Sequence, residues 1–325
     1  MSILVVADLH LSDKLRDSYR FQAMKIITGI VKDKSVNEIY LLGDLTEEKD
    51  HHSAELVNQV VECVYQFSQL VEGIVIIRGN HDYTSIDCPF FGFLSRLDRV
   101  SWINKPMGVG RYLFLPHTTQ YKRDWKGLDF KGYDWVFAHQ TFNGAAVGFG
   151  RELEGIPLTV FPRGVQVISG DIHVPQKLGC VTYVGAPYQV DFGDDYSPRV
   201  LLLTGQGIKS IPVPGAQKRL VEVGSIDQLD KFTGLSSGDI LKVRVSITQR
   251  QKAKWSAIRE SILGWGEKHG YVIHAIQPVV QQEQAQGVQI RSDRRSDRKV
   301  LTDFAQQNGV DERTVKTGLS LLEVV

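Results

Sequence analysis

Ile3-Leu4-Val5-Val6-Ala7-Asp8-Leu9-His10 opens the chain with an apolar, β-branched run that ends on a carboxylate and an imidazole. Such a run reads as a buried strand, so the Asp-Leu-His segment falls at a strand's carboxyl end. The pairing recurs. Ile39-Tyr40-Leu41-Leu42 leads into Gly43-Asp44, and Ile74-Val75-Ile76-Ile77 into Gly79-Asn80-His81-Asp82. Trp135-Val136-Phe137 leads into Ala138-His139, and Val165-Gln166-Val167-Ile168 into Gly170-Asp171-Ile172-His173. Five strands of one packed layer would deliver oxygen and nitrogen ligands to a common rim, and in α/β sheets ligands gather outside the carboxyl ends of the strands.

Between the first two strands, residues 17–32 place Tyr19, Ala23, Ile26, Ile27 and Ile30 near helical spacing. Residues 53–70 do the same with Leu56, Val57, Val60, Val64, Phe67 and Leu70. The β-α-β-α-β opening predicts a parallel sheet. After His81, short segments at 111–115, 135–137, 165–168, 181–184 and 200–204 come close together with Gly/Pro turns and predict a second sheet packed on the first. The core pattern stops near Ile211-Pro212-Val213-Pro214-Gly215. Residues 240–247 then alternate, 252–267 read as a helix with Trp255, Ile258, Ile262 and Trp265 along one side, and 271–276 read as a strand.

Residues 281–298 carry Arg291, Arg294, Arg295 and Arg298 among almost no apolar residues, which reads as a linker. Beyond it, 300–307 and 311–323 read as two short helices broken at Asn308-Gly309, with Asp311 as N-cap. The expected division is a site-bearing domain over 1–212, a small α/β domain over 213–280, a linker over 281–298 and terminal helices over 299–325.

A net charge of +1 over 325 residues removes any global electrostatic bias toward nucleic acid, while leaving room for a local basic groove. Cys63, Cys88 and Cys180 have no close metal-ligand spacing and suit a reducing cytoplasm. No apolar run approaches the roughly 20 residues of a membrane span, and no basic leader precedes the first strand. A cytoplasmic location with no membrane partner is expected.

Asp8 and His10, two positions apart, can point to one side because side chains alternate in extended backbone, and so supply two ligands to one cation. Asp44 from the neighbouring strand can bridge to a second cation, for which Asn80, His139 and Asp171 are candidates, with His173 returning to the first. Mixed oxygen and nitrogen ligation suits Mn²⁺, Fe or Zn²⁺ better than Ca²⁺. Two such metals about 3.5–4 Å apart activate a water and clamp an in-line displacement at phosphorus. His81 lies one residue beyond a ligand, so its imidazole is a candidate general acid, and Asp82 a candidate to orient that ring or raise its pKa. Any one motif is ordinary turn chemistry; five in strand-end context point to a metal site.

As an ordered set, D-x-H, G-D, G-N-H-D, H and the closing G-D-x-H resemble the calcineurin-like metallophosphoesterases over roughly residues 1–205. The resemblance implies an α/β fold: a two-sheet sandwich flanked by helices. It implies that Asp8, His10, Asp44 and His173 hold metal one, that Asp44, Asn80, His139 and Asp171 hold metal two, and that His81 is the catalytic histidine. The family's last motif is usually G-H-x-H. Asp171 replaces an imidazole by a harder, anionic carboxylate, which tilts the two-metal site toward Mn²⁺ or Mg²⁺.

Asp8-Leu9-His10-Leu11 near the N-terminus, Gly43-Asp44-Leu45, Gly185-Ala186-Pro187 and the α/β appendage resemble the SbcD-type DNA exonucleases of recombination and repair, phage versions included. That resemblance implies a capping domain that orients DNA, a partner of the SbcC type (a coiled-coil ATPase), a homodimer, and exonuclease activity with endonuclease activity as a further option. The alternative is a stand-alone phosphodiesterase or phosphatase on a small substrate. His51 and His52 read either as phosphate contacts or as solvated loop residues, and His117, His269 and His274 as structural or exposed. Trp255 and Trp265 read as core or as a base-stacking platform, and the arginines of the linker as phosphate contacts or as a solvated face.

Overall fold

Along the first strand Ile3 and Val5 pack to one side, and Leu4 and Val6 to the other, all at or below 1% exposure. A strand buried on both faces needs a layer on each side. The computed structural model, which describes residues 1–281 and 297–321, supplies them. The first sheet runs β14 (Gly207–Pro212), β13 (Arg199–Thr204), β1 (Ile3–Val6), β2 (Glu38–Leu41), β3 (Gly73–Ile77), β4 (Val100–Ile103). Strands β1 to β4 are parallel, and β13 and β14 add on antiparallel. The second sheet runs β11 (Gln176–Leu178), β12 (Val181–Tyr183), β10 (Gln166–Gly170), β7 (Trp135–His139), β6 (Tyr112–Leu115), β5 (Met107–Val109). Its four central strands are parallel.

Ile3, Val5, Tyr40, Leu42 and Ile77 of the first sheet meet Phe114, Phe137, Ile168 and Val184 of the second in the inter-sheet core. The outer face of the first sheet is covered by α1 (Tyr19–Asp33) and α2 (Ala54–Ser68) through Ala23, Ile27, Val60, Val64 and Phe67. Helix α2 begins at Ser53, whose hydroxyl accepts from Leu56 N at 3.1 Å, so the cap residue lies where the apolar spacing starts. Phe142, Phe161 and Trp125 pack on the outer face of the second sheet, beside the one-turn helix α3 (Tyr121–Asp124) and the hairpin of β8 (Ala145–Val147) and β9 (Arg151–Leu153).

Two expectations change. The five motif-bearing strands do not share one layer: β1, β2 and β3 lie in the first sheet, β7 and β10 in the second. Strand β13, expected in the second sheet, hydrogen-bonds antiparallel to β1, because Leu201 and Leu203 complete the inter-sheet core from that side.

A smaller sheet follows, of β15 (Lys218–Val223), β16 (Ile240–Ile247) and β17 (Val272–Val280). Strand β15, absent from the sequence-based reading, pairs parallel with β16. The one-turn α4 (Gln249–Lys252) and then α5 (Trp255–His269) connect β16 to β17, and Leu241, Val243, Val245, Ile258 and Ile262 form a separate core. Trp255 and Trp265 pack against it, which favours their core reading. The small sheet is tied to the large body by Lys218, whose Nζ donates to Val190 O at 2.5 Å and whose N–H donates to Gln189 Oε1 at 2.7 Å.

Backbone packing divides the chain into Met1–Val279 and Val280–Val325. In the second unit α6 (Asp297–Gln307) and α7 (Glu312–Leu321) flank Asn308 and Gly309. Asp311 caps α7 by accepting from Arg313 N and Thr314 N, each at 3.0 Å. On α6, Phe304 is 63% exposed; residues 282–296 of the expected linker lie outside the described residues. No helix among the described residues is long and apolar enough to cross a membrane.

Candidate active site

The carboxyl ends of β1, β2, β3, β7 and β10 meet where the two sheets face each other, and they bring together all seven expected ligands. Among the described residues, Asp8, His10 and His173 form one group with ligand atoms within 4.8 Å of one another, and Asp8, Asp44 and His139 form a second. Asp44 Oδ2 lies 3.4 Å from both His10 Nε2 and His139 Nε2, the bridging place the sequence suggested. Asp8 belongs to both groups too, which makes it a second candidate for the place between them. Asp171 Oδ1 is 3.6 Å from His139 Nε2, on the second group's side.

The convergence is not achieved by alternation in extended backbone. Asp8, His10, Asp44 and Asp171 have φ of 56°, 38°, 56° and 81°, left-handed values that cost non-glycine residues free energy and persist where surroundings over-determine them. Here the surroundings are neighbouring loops: Asp8 N donates to Gly43 O at 3.2 Å, His10 N to Asp44 O at 2.9 Å, and Leu11 N to Leu45 O at 2.9 Å. The glycines in the motifs follow from the same crowding. A Cβ on Gly79 would lie 2.2 Å from Asp44 Oδ1, and one on Gly43 2.5 Å from His139 Nδ1.

Two of the imidazoles are turned by backbone carbonyls. His139 Nδ1 donates to Leu42 O at 2.5 Å and His81 Nδ1 to Glu47 O at 2.6 Å, which leaves Nε2 as the working atom in both. Asp82 was expected to orient or charge the His81 ring; its carboxylate is instead fully occupied by backbone. Oδ2 accepts from Asp44 N at 2.8 Å and Gly79 N at 2.6 Å, and Oδ1 from Leu45 N at 2.9 Å. It ties the end of β2 to the end of β3 and so holds Asp44 in its left-handed turn. Asp82→Ala leaves three buried N–H groups unpaired at about 1–3 kcal/mol each. The expected result is a loss of thermal stability on the order of 3 kcal/mol or more, checked by denaturant melting, with Asp82→Asn, which keeps one acceptor, milder. Equal stability of Asp82→Ala and the parent would remove this role.

The side chains fit divalent cations. Asp8 Oδ2 and His10 Nδ1 are buried without a partner, and His10 Nε2 faces His173 Nε2 at 3.1 Å. The head of the Asn80 amide lies 2.8 Å from His139 Nε2, 3.1 Å from Asp44 Oδ2 and 3.2 Å from Asp171 Oδ1. With its oxygen inward, that amide joins a ring of acceptors that a cation reconciles. Burial pushes the Asp8 carboxyl up to about 6, against the pull of His139 and His173. Burial pushes the His10 imidazole down to about 3. Asp44 is held below the usual carboxylate range because His139, His10 and His81 outweigh its burial, and His139 is held well above the usual histidine range because Asp44, Asp171 and Asp8 outweigh its own. A divalent cation in their midst favours ionised carboxylates and neutral imidazoles, with Asp8, Asp44 and Asp171 supplying the anionic charge.

Two residues near the site, Arg20 and Glu47, went unread in the sequence. Arg20 Nη1 donates to the His10 carbonyl and to Glu47 Oε2, the latter at 2.7 Å. Glu47 in turn lies 3.7 Å from His10 Nδ1 and carries the carbonyl that turns His81. A signal existed: Arg20 occupies the buried stripe of α1 with Ala23, Ile27 and Val31, where a charge needs a reason. His117, read as structural or exposed, is half-buried with its ring centroid 6.2 Å from that of His139. His52 is held by Thr46 Oγ1 at 2.8 Å, and the His51 side chain is 94% exposed.

A family model described as calcineurin-like phosphoesterase matches residues 1–175, a span that contains every expected ligand. No curated protein matches the chain. Among solved structures, YfcE, a phosphoesterase from E. coli, is 14% identical over 66% of this chain and 100% of its own, with a TM-score of 0.35. The Pseudomonas putida nuclease MPE is 14% identical over 64% and 87%, at 0.37. A dimetal phosphatase from Danio rerio is 11% identical over 66% and 99%, at 0.38. Likenesses of this size carry no argument about activity.

Proposed function

The chain belongs to the calcineurin-like phosphoesterases, metal-dependent hydrolases of phosphoester bonds, and from that premise we propose that it is the nuclease subunit of a DNA-processing complex, cutting phosphodiester bonds at a two-metal site. The observation that carries the chemistry is the meeting of seven oxygen and nitrogen donors from two sheets beside a histidine whose Nε2 is free. Asp8, His10 and His173 would hold one cation, Asn80, His139 and Asp171 the other, and Asp44 would serve both, Mn²⁺ being the first choice for this mixed set. Bound there, the cations supply Lewis acidity to the phosphodiester and activate the attacking water. His139 keeps its Nε2 toward the donors through its bond to Leu42. His81 gives a proton from Nε2 to the departing alkoxide, its other nitrogen being committed to Glu47.

Support for DNA over a small ester comes from the appended sheet, fastened to the body by Lys218. The connection between its strands β16 and β17 carries exposed Arg250, Lys252 and Lys254, charges suited to a phosphate backbone. The C-terminal helix pair supports a coiled-coil ATPase as partner, since helices shorter than about 12–15 residues need a surface to bury against. The purified chain with Mn²⁺ should cut end-labelled linear DNA as well as bis-p-nitrophenyl phosphate; hydrolysis of the small ester alone would favour the stand-alone phosphodiesterase. Deleting residues 296–325 should leave small-diester hydrolysis unchanged and abolish both ATPase binding and ATP-stimulated digestion of duplex DNA. Continued co-purification with the ATPase after the deletion would reject the docking role.

A further inference from the structure

Arg78 stands just before Gly79-Asn80-His81, is 3% exposed, and forms no ion pair with any described residue. One Nη donates to His117 O at 2.8 Å, and the guanidinium lies over the Tyr83 ring, 4.1 Å from its centroid. Its Nε and second Nη are buried with no partner. A buried cation with unpartnered N–H groups is costly to keep dry, and a guanidinium is a rigid fork that matches phosphate oxygens. Arg78 lines a cavity of about 370 Å³ together with His117, Lys105, Arg123, Asp87 and Asp124. Lys105 and Arg123 equal the two carboxylates in number, and Asp124 already accepts from Arg123 Nε at 2.7 Å. Arg78 is therefore the surplus positive charge.

His117 joins this cavity to the metal ligands. Its Nδ1 lies 3.0 Å from the Tyr83 hydroxyl, and its ring borders His139. We propose that the cavity is a second phosphate subsite, which takes the phosphate of the nucleotide unit next to the scissile phosphodiester. The assignment rests on the nucleic-acid reading of the metal site. A single-phosphate ester has nothing to place there, so the subsite would favour a polynucleotide over a small diester.

Two measurements on the full chain test it. In EDTA, calorimetric titration with inorganic phosphate and with thymidine 5′-monophosphate should give saturable binding that weakens about tenfold or more in Arg78→Met, the loss of a charge-assisted hydrogen-bonded pair. With Mn²⁺, Arg78→Met should raise KM for an oligothymidylate about tenfold with kcat changed less than about threefold. Lys105→Gln, at an exposed position, should raise the same KM by a smaller factor and keeps the test decisive if Arg78→Met does not fold. No phosphate uptake in EDTA, equal affinity in the variants, or a lower kcat at unchanged KM would overturn the subsite; the last would make Arg78 a support of the Gly79–His81 turn. Phosphate uptake without any effect on oligothymidylate KM would make the cavity a site for free phosphate and overturn its substrate role. Should the parent bind phosphate through Arg78 but leave oligothymidylate intact, the nuclease reading fails while the anion site stands.

Discussion

Replacing His81 by alanine is expected to slow phosphodiester cleavage about 10²–10⁴-fold, the usual worth of a positioned general acid, while both cations stay bound. The imidazole has one nitrogen to spare: Nδ1 is 2.6 Å from Glu47 O, so a proton can leave only from Nε2. The His81 backbone N–H, which donates to Asp44 Oδ1 at 2.8 Å, survives the substitution, and so the bridging carboxylate keeps its support. Elemental analysis of the purified variant supplies the check. The competing outcome is concrete, because His81 also forms a group with His10 and Asp44 whose ligand atoms lie within 4.8 Å. Loss of a cation in His81→Ala would make the ring a ligand. A second signature separates the roles: p-nitrophenolate departs without a proton, so the variant should lose less on bis-p-nitrophenyl phosphate than on an ester with an alkoxide leaving group.

The second large effect is expected at Asp44. Asp44→Asn should weaken both cations by at least about tenfold, and Asp171→Asn only the one held with His139. Asp44 Oδ2 stands 3.4 Å from an imidazole of each group, whereas Asp171 lies beside the imidazole of the second group, His139, at 3.6 Å. The Asp171 carboxylate is also braced from behind, by the Thr141 hydroxyl, and asparagine keeps one oxygen there while losing the charge. Titration of Mn²⁺ into the two variants, followed by the stoichiometry of tight sites, decides between them. Parent-like affinity in Asp171→Asn would mean that the carboxylate standing in for the family's imidazole is not a ligand.

Much of this site could be read without coordinates because its signals are local. An apolar run followed by Asp-x-His or Gly-Asp needs only the period of a strand and the chemistry of its last residue. Five such junctions, in order, carried the fold family, all seven donors and His81. The limits of the reading are local as well. Alternation over 240–247 revealed β16, but nothing in 218–223 announced β15, whose burial comes from its parallel partner rather than from a clean period of its own.

What only the tertiary structure decided lies between segments far apart in the chain. The strand-end pattern does not say which sheet a strand joins, and the site sits between two sheets because the inner faces of β1, β7 and β10 share one core. Asp82 carries the same sequence signal whether it serves His81 or the backbone; two of its three N–H donors, Asp44 and Leu45, come from the folded approach of β2 to β3. The left-handed turns at Asp8, His10, Asp44 and Asp171 are held by bonds such as Asp171 N to Asp8 Oδ1, 163 residues apart. Arg78 and His117 look like ordinary loop residues until packing buries the first and half-buries the second. The sequence by itself determined which side chains are the candidates for the chemistry, since donor type is a property of single residues at strand ends. Their geometry, and the charges left without partners around them, were decided by long-range packing, because burial and hydrogen-bond supply exist only once the two sheets have closed.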